Sequence, residues 1–240
     1  MTIQTLSGKG AVITGAASGI GLALARRCAA EGMRLVLADC EAGPLDRAAA
    51  ELGAEAVIAD VRDAESLAGL AVAAQARLGR VDLVCANAGV SRMAAIERLT
   101  AQDWRWLFDV NLFGVVETVR AFLPRLKGNP DGGHIVITAS LSSLYPTRSQ
   151  GAYAAAKAAV AMYGETLPSN SRAKAPRWGS AWSAPALSIP ISGPARETAA
   201  ATTWPRRLPR PTSTSGRSAT AFGRATGRRP RRSPPRRWPR

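Results

Sequence analysis

Short apolar runs alternate with helix-patterned segments through the first two thirds of the chain. The apolar runs have the length of buried strands and lie at residues 11–14, 34–38, 56–59, 81–86 and 134–139. Helical spacing is found at residues 19–31, 43–52, 63–78, 101–127 and 151–167. In the segment 101–127 we expect a break near Asn111–Gly114 or at Pro124. Apolar strands joined by crossover helices predict an α/β fold: a Rossmann-type doubly wound parallel sheet in three αβα layers.

A glycine-rich turn, "TGAASGIG" at residues 14–21, joins the first predicted strand to the first helix. Gly15, Gly19 and Gly21 allow the backbone to turn tightly and to approach a phosphate, and the helix N-terminus directs free N–H groups at it. Many strand-to-helix turns contain glycines, however, so the run alone also fits a purely structural turn.

Polar residues follow the next three strands. Asp39 ends the second strand 18 residues after Gly21, close to the ~20 typical of an acid that binds the ribose of NAD and repels the 2′-phosphate of NADP. A helix N-cap or a turn aspartate is the alternative. Asp60 either meets the adenine edge or caps the helix that follows from Val61. Asn87, in "CANAG", either bonds neighbouring backbone or lines the cofactor groove.

A tyrosine and a lysine, Tyr153 and Lys157, lie one turn apart on the last predicted helix. Ser140 ends the fifth strand 13 residues earlier, at the sheet edge where ligands bind. A tyrosine acts as a general acid or base when its pKa falls from roughly 10 toward neutrality, and a nearby ammonium favours the phenolate. Ser140 can donate a hydrogen bond to a substrate oxygen. An isolated pair of this spacing usually marks a solvated helix face, but here it predicts proton transfer on a carbonyl or hydroxyl beside a nicotinamide.

Together these motifs resemble those of the short-chain dehydrogenase/reductase family over residues 8–167. The family's T-G-x-x-x-G-x-G, N-A-G, helix asparagine, serine and Tyr-x-x-x-Lys correspond to Thr14, Gly15, Gly19, Gly21, Asn87–Gly89, Asn111, Ser140, Tyr153 and Lys157. The resemblance implies an NAD(P)-dependent oxidoreductase that acts on CH–OH groups of a small alcohol or carbonyl substrate. It also implies a homo-oligomer, if the C-terminal part is native.

The resemblance assigns the catalytic roles. Tyr153 is the proton donor or acceptor, and Lys157 also holds the nicotinamide ribose. Ser140 orients the substrate oxygen, and Asn111 maintains a helix kink and a proton-relay water. NAD is favoured over NADP because of Asp39 and because no basic residue stands in the glycine turn. The candidate cofactor-binding residues are Thr14, Gly15, Ser18, Gly19, Ile20, Gly21, Asp39, Asp60, Val61, Asn87, Ala88, Gly89, Tyr153 and Lys157.

The composition of the chain changes abruptly after residue 167. Residues 1–167 contain 16 Lys/Arg and 16 Asp/Glu, whereas residues 168–240 contain 16 Lys/Arg and a single acid, Glu197, and so carry the whole net charge of +15. Only 4 of the 16 prolines precede residue 168. We therefore expect an NAD(P)-binding Rossmann domain at 1–167 and a disordered Pro/Arg-rich tail at 168–240, with no sixth strand.

A shifted reading frame would explain this change. Suppose that each shifted codon combines the third base of one codon with the first two bases of the next. Residues 179–188 then permit the string V-S-V-V-C-P-G-P-V. The junction of Trp182 and Ser183 forces a valine when Ser183 has a TCN codon. The string reads as a buried strand ending in Pro-Gly, which the family places here. We hypothesise a one-base insertion or deletion near codons 167–169, which resequencing would test.

Two other functional classes stay open beside the oxidoreductase. One is an inactive, frame-shifted product, and the other is a polyanion-binding protein that uses the basic tail. The tail shows no recognised nucleic-acid reader, so we expect no specific nucleic-acid partner. The three cysteines and one histidine lack metal-ligand spacing. Together with the absence of a signal-like start and of an apolar run of ~20 residues, they predict a cytoplasmic protein without membrane segment or metal.

Overall fold

Strands and helices alternate along residues 5–130, 132–145, 148–167 and 179–183, the part of the chain that this computed structural model describes. The strands are β1 (Gly10–Thr14), β2 (Arg34–Asp39), β3 (Glu55–Ile58), β4 (Leu83–Ala86), β5 (His134–Thr138) and β6 (Gly179–Ser183). The α-helices are α1 (Gly19–Ala30), α2 (Ala42–Leu52), α3 (Ala64–Leu78), α4 (Ala101–Phe108), α5 (Gly114–Gly128) and α6 (Gly151–Thr166). Short 3-10 helices cover Ile96–Arg98 and Leu141–Ser143, and a π-helical turn covers Asp109–Phe113.

The strands form a single parallel sheet in the order β3-β2-β1-β4-β5-β6. The chain moves outward from β1 through β2 to β3, then returns to the other side of β1 and moves outward again. This is the doubly wound order, so the predicted fold class is confirmed. The direction reverses between β1 and β4, and the crevice at the carboxyl ends of these two strands is where such sheets bind ligands.

Alternate residues of the central strands face two separate apolar cores, since successive side chains of a strand point to opposite faces. Ala11 and Ile13 of β1 pack with α1 and α2, whereas Val12 packs with α3, α5 and α6. These three strand residues are completely buried. Both faces of the sheet are therefore covered, which explains why the strands read as continuous apolar runs rather than as an alternating pattern.

The predicted break in the long helical segment 101–127 lies in its first half. The π-helical turn Asp109–Phe113 separates α4 from α5, whereas Pro124 lies inside α5 without ending it. The side-chain amide of Asn111 donates to the carbonyl of Leu107, one turn earlier, at 2.8 Å. A side chain inserted into the backbone ladder is a common cause of such a local change in helix geometry.

A buried aspartate, Asp82, fixes the amino ends of the central strands. Its side chain, 4% exposed, accepts a hydrogen bond from the backbone N–H of Gly10 at 3.0 Å. It also pairs with Lys9 at 3.6 Å and with Arg80 at 2.8 Å. The two cations offset the cost of burying this carboxylate, which lies at the opposite end of the strands from the ligand crevice.

The expectation that no sixth strand follows residue 167 is wrong. β6 pairs in parallel with β5, from His134 opposite Gly179 to Thr138 opposite Ser183. The segment lacks an apolar strand pattern, but ladder pairing depends on backbone N–H and C=O groups, which the edge of β5 presents along its length. The segment 179–183 contains no proline that would interrupt that ladder.

The rest of the predicted tail, residues 168–178 and 184–240, lies outside the described residues, and so does its expected disorder. Among the residues that the structure describes, no helix has both the length and the apolar character that crossing a membrane requires.

Candidate active site

A cavity of about 570 Å³ opens at the carboxyl edge of the sheet. Its size falls in the range of about 300–1,000 Å³ typical of small-molecule sites. Fourteen of the candidate site residues line it, namely Gly15, Ser18, Gly19, Ile20, Gly21, Asp39, Asp60, Val61, Asn87, Ala88, Gly89, Asn111, Tyr153 and Lys157. The structure therefore brings the predicted cofactor and catalytic residues to one place. Thr14 and Ser140 are the two candidates outside this lining.

The glycine turn packs directly against the loop that follows β4. Gly15 has a φ of 66°, in the left-handed region that favours glycine. A Cβ atom at Gly15 would lie 2.7 Å from the Cα of Ala88. A Cβ at Gly21 would overlap the carbonyl oxygen of Gly15 and lie 2.6 Å from the Nδ2 of Asn87. Both glycines are thus required by close packing, and the turn leaves a backbone surface free of side chains.

Thr14 and Asn87 connect the glycine turn to β4 and β5. The Thr14 hydroxyl accepts from the backbone N–H of Asn87 at 3.0 Å and of Ala88 at 3.2 Å, and donates to the carbonyl of Cys85. The Asn87 amide donates to the carbonyls of Thr14 and Gly15 and accepts from the hydroxyl of Thr138 at 3.0 Å. Thr14 is 1% exposed, so it positions the loop from behind the cavity. Asn87 fulfils both of the alternatives left open for it, since it bonds backbone and also lines the cavity.

Asp39 also bonds to the glycine turn. Its Oδ2 accepts from the backbone N–H of Ala17 at 3.0 Å, and its Oδ1 accepts from Glu41 at 3.2 Å. The N-cap of α2 is Glu41, so Asp39 is a turn aspartate rather than a helix cap. Asp39 also lines the cavity.

Asp60 is paired with an arginine that the sequence reasoning missed. The Nε of Arg62 donates to both carboxylate oxygens of Asp60 at 3.0 Å, and its backbone N–H donates to Oδ1 at 2.9 Å. Hydrogen bonding from Arg62 lowers the pKa of Asp60. The cap of α3 is Asp63, which accepts from the N–H of Glu65, so Asp60 does not cap that helix. Asp60 and Arg62 both line the cavity.

Asn111 connects the π-helical turn to the loop after β4. Its Oδ1 accepts from the N–H of Val90 at 3.2 Å, while its Nδ2 donates to the carbonyls of Val90 at 2.9 Å and of Leu107 at 2.8 Å. The residue is completely buried. A Cβ at Gly89 would lie 2.9 Å from this Oδ1 and 3.4 Å from the Nζ of Lys157. Gly89 therefore permits the close approach of Asn111 and Lys157.

Lys157 is a buried cation next to the catalytic tyrosine candidate. It is 3% exposed, its Nζ donates to the carbonyl of Thr138 at 2.8 Å, and the same atom lies 6.0 Å from the ring centroid of Tyr153. Burial lowers the pKa of Lys157 from 10.5 to about 8, because the low-polarity surroundings disfavour the ammonium. Tyr153 is half-buried at the wall of the cavity. The helical spacing of the two residues thus produces a phenol with an adjacent ammonium, rather than a solvated pair.

Ser140 lies just beyond the cavity wall that Ala139 forms. Its Oγ accepts from the backbone N–H of Ser142 at 3.2 Å and so caps the 3-10 helix Leu141–Ser143. This bond uses the acceptor side of the hydroxyl, which leaves its O–H as a donor.

Several further residues line the cavity without having been predicted. Trp106 and Val110 lie one turn apart where α4 meets the π-helical turn, and Cys40 and Glu41 follow Asp39. Burial is the main cause that raises the pKa of the Cys40 thiol, so this thiol is not activated as a thiolate. Trp106 and Val110 are four residues apart, the spacing of one helix face, and this spacing was a sequence signal for the wall. Within the part of the chain described by the structure, no cluster of three His, Cys, Asp or Glu side chains could hold a metal ion.

Comparison with known proteins identifies the family of this chain. The family model described as short chain dehydrogenase matches residues 9–174. The chain belongs to the short-chain dehydrogenase family. A crystal structure of a short-chain dehydrogenase/reductase from Burkholderia phymatum in complex with NAD is 40% identical, with a TM-score of 0.72 over 75% of this chain and 66% of that one. An alcohol dehydrogenase from Thermococcus sibiricus, complexed with 5-hydroxy-NADP, is 34% identical, with a TM-score of 0.65 over 72% of this chain and 74% of that one.

Curated relatives of this short-chain dehydrogenase family member are similar over nearly two thirds of the chain. The 1-deoxy-11-beta-hydroxypentalenate dehydrogenase of Streptomyces arenae is 44% identical over 156 residues, which are 62% of this chain and 55% of the relative. The protein of that name from Streptomyces exfoliatus is 42% identical over 164 residues, 65% of this chain and 58% of the relative. The chain therefore spans somewhat more than half the length of these relatives.

Proposed function

We propose that the chain is an NAD-dependent oxidoreductase that interconverts an alcohol and a carbonyl compound, with Tyr153 as the general acid or base. The observation that carries the proposal is that Tyr153 and the buried Lys157 line the same cavity as the glycine turn and Asp39. A phenol with an adjacent ammonium, on the wall of the cavity that also holds the glycine turn, matches the needs of coupled hydride and proton transfer.

The residues of the cavity fit a nicotinamide dinucleotide. Gly15 and Gly21 let the turn pack closely against its neighbours, and a Cβ at Gly19 would meet nothing within 4 Å. Ser18, Gly19 and Ile20, at the N-terminus of α1, line the cavity where a pyrophosphate would bind the free N–H groups of that helix end. Asp39 would hold the adenosine ribose through its carboxylate, and Asp60 and Val61 would hold the adenine. Lys157 would bond the nicotinamide ribose. When bound, the nicotinamide supplies or accepts the hydride.

The charges around the adenosine end support NAD rather than NADP. Asp39 and Glu41 both line the cavity there, and both carry a negative charge that would repel a 2′-phosphate. Arg62 is the cation of this region, but its guanidinium is engaged by both oxygens of Asp60. Its charge is therefore largely balanced by Asp60, and the carboxylates of Asp39 and Glu41 dominate.

The proton is handled by the side chains at the other end of the cavity. In alcohol oxidation the Tyr153 phenolate would take the proton from the substrate hydroxyl, and in carbonyl reduction the Tyr153 hydroxyl would return it. The Lys157 ammonium stabilises the phenolate form by charge attraction. The O–H of Ser140 would donate to the substrate oxygen. Asn111 would act on the backbone, since its amide holds the loop carrying Val90 against α4.

The relatives support the reaction class more than the substrate. They include dehydrogenases and reductases of several carbon skeletons, among them a hydroxypentalenate dehydrogenase and a reductase of a hydroxylated indene-carboxyl-CoA. The lining residues of the cavity all lie within residues 1–167, so we also propose that these residues form the nucleotide-binding domain.

The proposal is tested by adding NAD or NADP and a panel of secondary alcohols to the folded chain and measuring the formation of reduced cofactor. We expect turnover with NAD to exceed turnover with NADP. A folded chain that neither binds NADH nor oxidises any alcohol of the panel would overturn the proposal.

A further inference from the structure

We propose that the substrate portion remote from the reacting carbon is an uncharged apolar group, which binds to a cluster of four exposed side chains beside Tyr153. The cluster consists of Met93, Ile96, Leu144 and Tyr145, which we call the apolar rim. The inference rests on the proposed function, because it names the class of alcohol or ketone that this site would take.

The four side chains are far more exposed than large apolar residues usually are in a folded protein. Their exposed fractions are 70% for Met93, 64% for Ile96, 55% for Leu144 and 66% for Tyr145. Single exposed apolar residues are ordinary, but a group of them at one place marks an interaction site.

The rim has two halves, Met93 with Ile96 and Leu144 with Tyr145. Hydrogen bonds and packing hold the first half at the start of α6. The N–H of Ala94 donates to the carbonyl of Ser149 at 2.9 Å, so the loop after β4 lies against the turn before α6. Ser149 has a φ of 64°, which is uncommon for a non-glycine residue and directs this turn. A Cβ at Gly151, the first residue of α6, would lie 3.4 Å from the Cδ1 of Ile96.

The second half of the rim is attached to the same helix end. Leu144 and Tyr145 directly follow the 3-10 helix Leu141–Ser143. The Ser142 hydroxyl donates to the Oε1 of Gln150 at 2.9 Å, and Gln150 is the N-cap of α6. Both halves therefore converge on the first turn of α6, which carries Tyr153 two residues after Gly151.

Continuity with the cavity favours a substrate over any other occupant of the rim. Val90 and Ser91 line the cavity, and the chain runs from them through Arg92 to Met93. Ala139, directly after β5, also lines the cavity, and the chain runs from it to Leu144. Arg92, next to Met93 in the chain, is paired with Asp103 at 3.0 Å. An apolar group extending from a carbon bound at Tyr153 would reach the rim first.

The test uses the complex with NADH, because an alcohol binds to it without reacting. The dissociation constants of 2-butanol, 2-hexanol and 2-octanol are measured by calorimetry on the NADH-saturated chain, together with cyclohexanol and its polyhydroxylated counterpart myo-inositol. A fully buried methylene contributes about 0.8 kcal/mol, or about fourfold in affinity. We expect affinity to rise two- to fourfold per added methylene, and cyclohexanol to bind at least tenfold more tightly than myo-inositol.

Matched variants locate the effect. Met93→Ser and Ile96→Ser should each reduce the increase per methylene and leave the NADH dissociation constant unchanged. The controls are Met162→Ser and Ile58→Ser, whose wild-type residues are 68% and 64% exposed and lie outside the rim. Met162 is nine residues beyond Tyr153 on α6, about 14 Å along the helix axis. Both controls should keep the full increase per methylene.

Three outcomes would overturn the inference. If NADH binds but affinity does not rise with chain length, or myo-inositol binds as well as cyclohexanol, the apolar class is wrong and the proposed function stands. If Met93→Ser and Ile96→Ser change only the molecular mass in light scattering, the rim is a contact between copies of the chain. If NADH does not bind at all, the proposed function fails and this inference fails with it.

Discussion

Replacing the buried lysine of the site should produce a stability difference that depends on pH in a defined direction. Lys157 is 3% exposed and its pKa lies at about 8 instead of 10.5. The difference between these two values corresponds to about 3 kcal/mol, because one pKa unit is worth about 1.4 kcal/mol. Below pH 8 the lysine is charged in both the folded and the unfolded chain. The folded chain then bears the whole desolvation cost.

The sign follows from the number of bound protons. Between about pH 8 and pH 10.5 the unfolded chain still binds the Lys157 proton while the folded chain has begun to release it. The free energy of unfolding therefore rises with pH across this window. In the variant Lys157→Met this contribution is missing. The wild type should gain about 3 kcal/mol relative to the variant between pH 7 and pH 11.

At pH 7 the same substitution should have a small net effect. Methionine removes the cost of about 3 kcal/mol, but it also leaves the Thr138 carbonyl without its Lys157 donor. An unpaired buried carbonyl costs about 1–3 kcal/mol, which offsets much of the gain.

Urea unfolding of both chains at several pH values from 7 to 11 measures the difference. The variant Lys127→Met, at an exposed position of α5, serves as the control and should show a constant difference. A constant difference for Lys157→Met as well, or one that moves in favour of the variant as the pH rises, would refute the reasoning.

Four further substitutions test the structure elsewhere. Gly21→Ala should destabilise the chain by more than about 3 kcal/mol and abolish NADH binding in calorimetry, because its Cβ overlaps the Gly15 carbonyl; Gly69→Ala, with nothing within 4 Å of its Cβ, should stabilise α3 by about 0.5–1 kcal/mol. Asp39→Asn should raise the affinity for NADPH relative to NADH at least tenfold in parallel titrations, and an unchanged ratio would remove Asp39 from cofactor choice. Asp82→Asn should lower the free energy of unfolding by about 2–4 kcal/mol in urea, because two cations lose their buried partner; NADH affinity should be unaffected.

The sheet and the position of the site followed from local patterns. Alternating strands and helices, joined by right-handed crossovers, leave few topologies, so the strand order could be predicted. The carboxyl ends of parallel strands meet at one edge, so Asp39 and Asn87 could be expected to converge on one cavity, and Tyr153 lies near the start of the α-helix that follows β5. Their convergence follows from backbone geometry, which the period of apolar residues determines.

The partners of individual side chains did not follow from those patterns. The amide of Asn87 bonds to Thr14 and Thr138, which are far away in sequence, and only the folded sheet brings them together. The pairing of Arg62 with Asp60 is local, but nothing in the sequence distinguishes it from two separate surface charges.

The C-terminal part shows a different limit. β6 forms through backbone pairing, although its sequence lacks the apolar pattern that predicts a strand. The shifted frame permits an apolar string in the same region. The frame hypothesis remains a prediction, and the match of the family model ends at residue 174. Resequencing codons 167–169 in independent clones tests it, and an intact frame would reject it.

The most direct test of the proposed function compares the wild type with Tyr153→Phe at equal NADH occupancy. The substitution removes the hydroxyl alone, and Lys157 keeps its bond to the Thr138 carbonyl. We expect the NADH dissociation constant to stay within about twofold. Turnover of a secondary alcohol with NAD should fall at least a hundredfold, because general acid–base catalysis contributes about 10²–10⁴-fold. Turnover that survives in Tyr153→Phe would contradict the account.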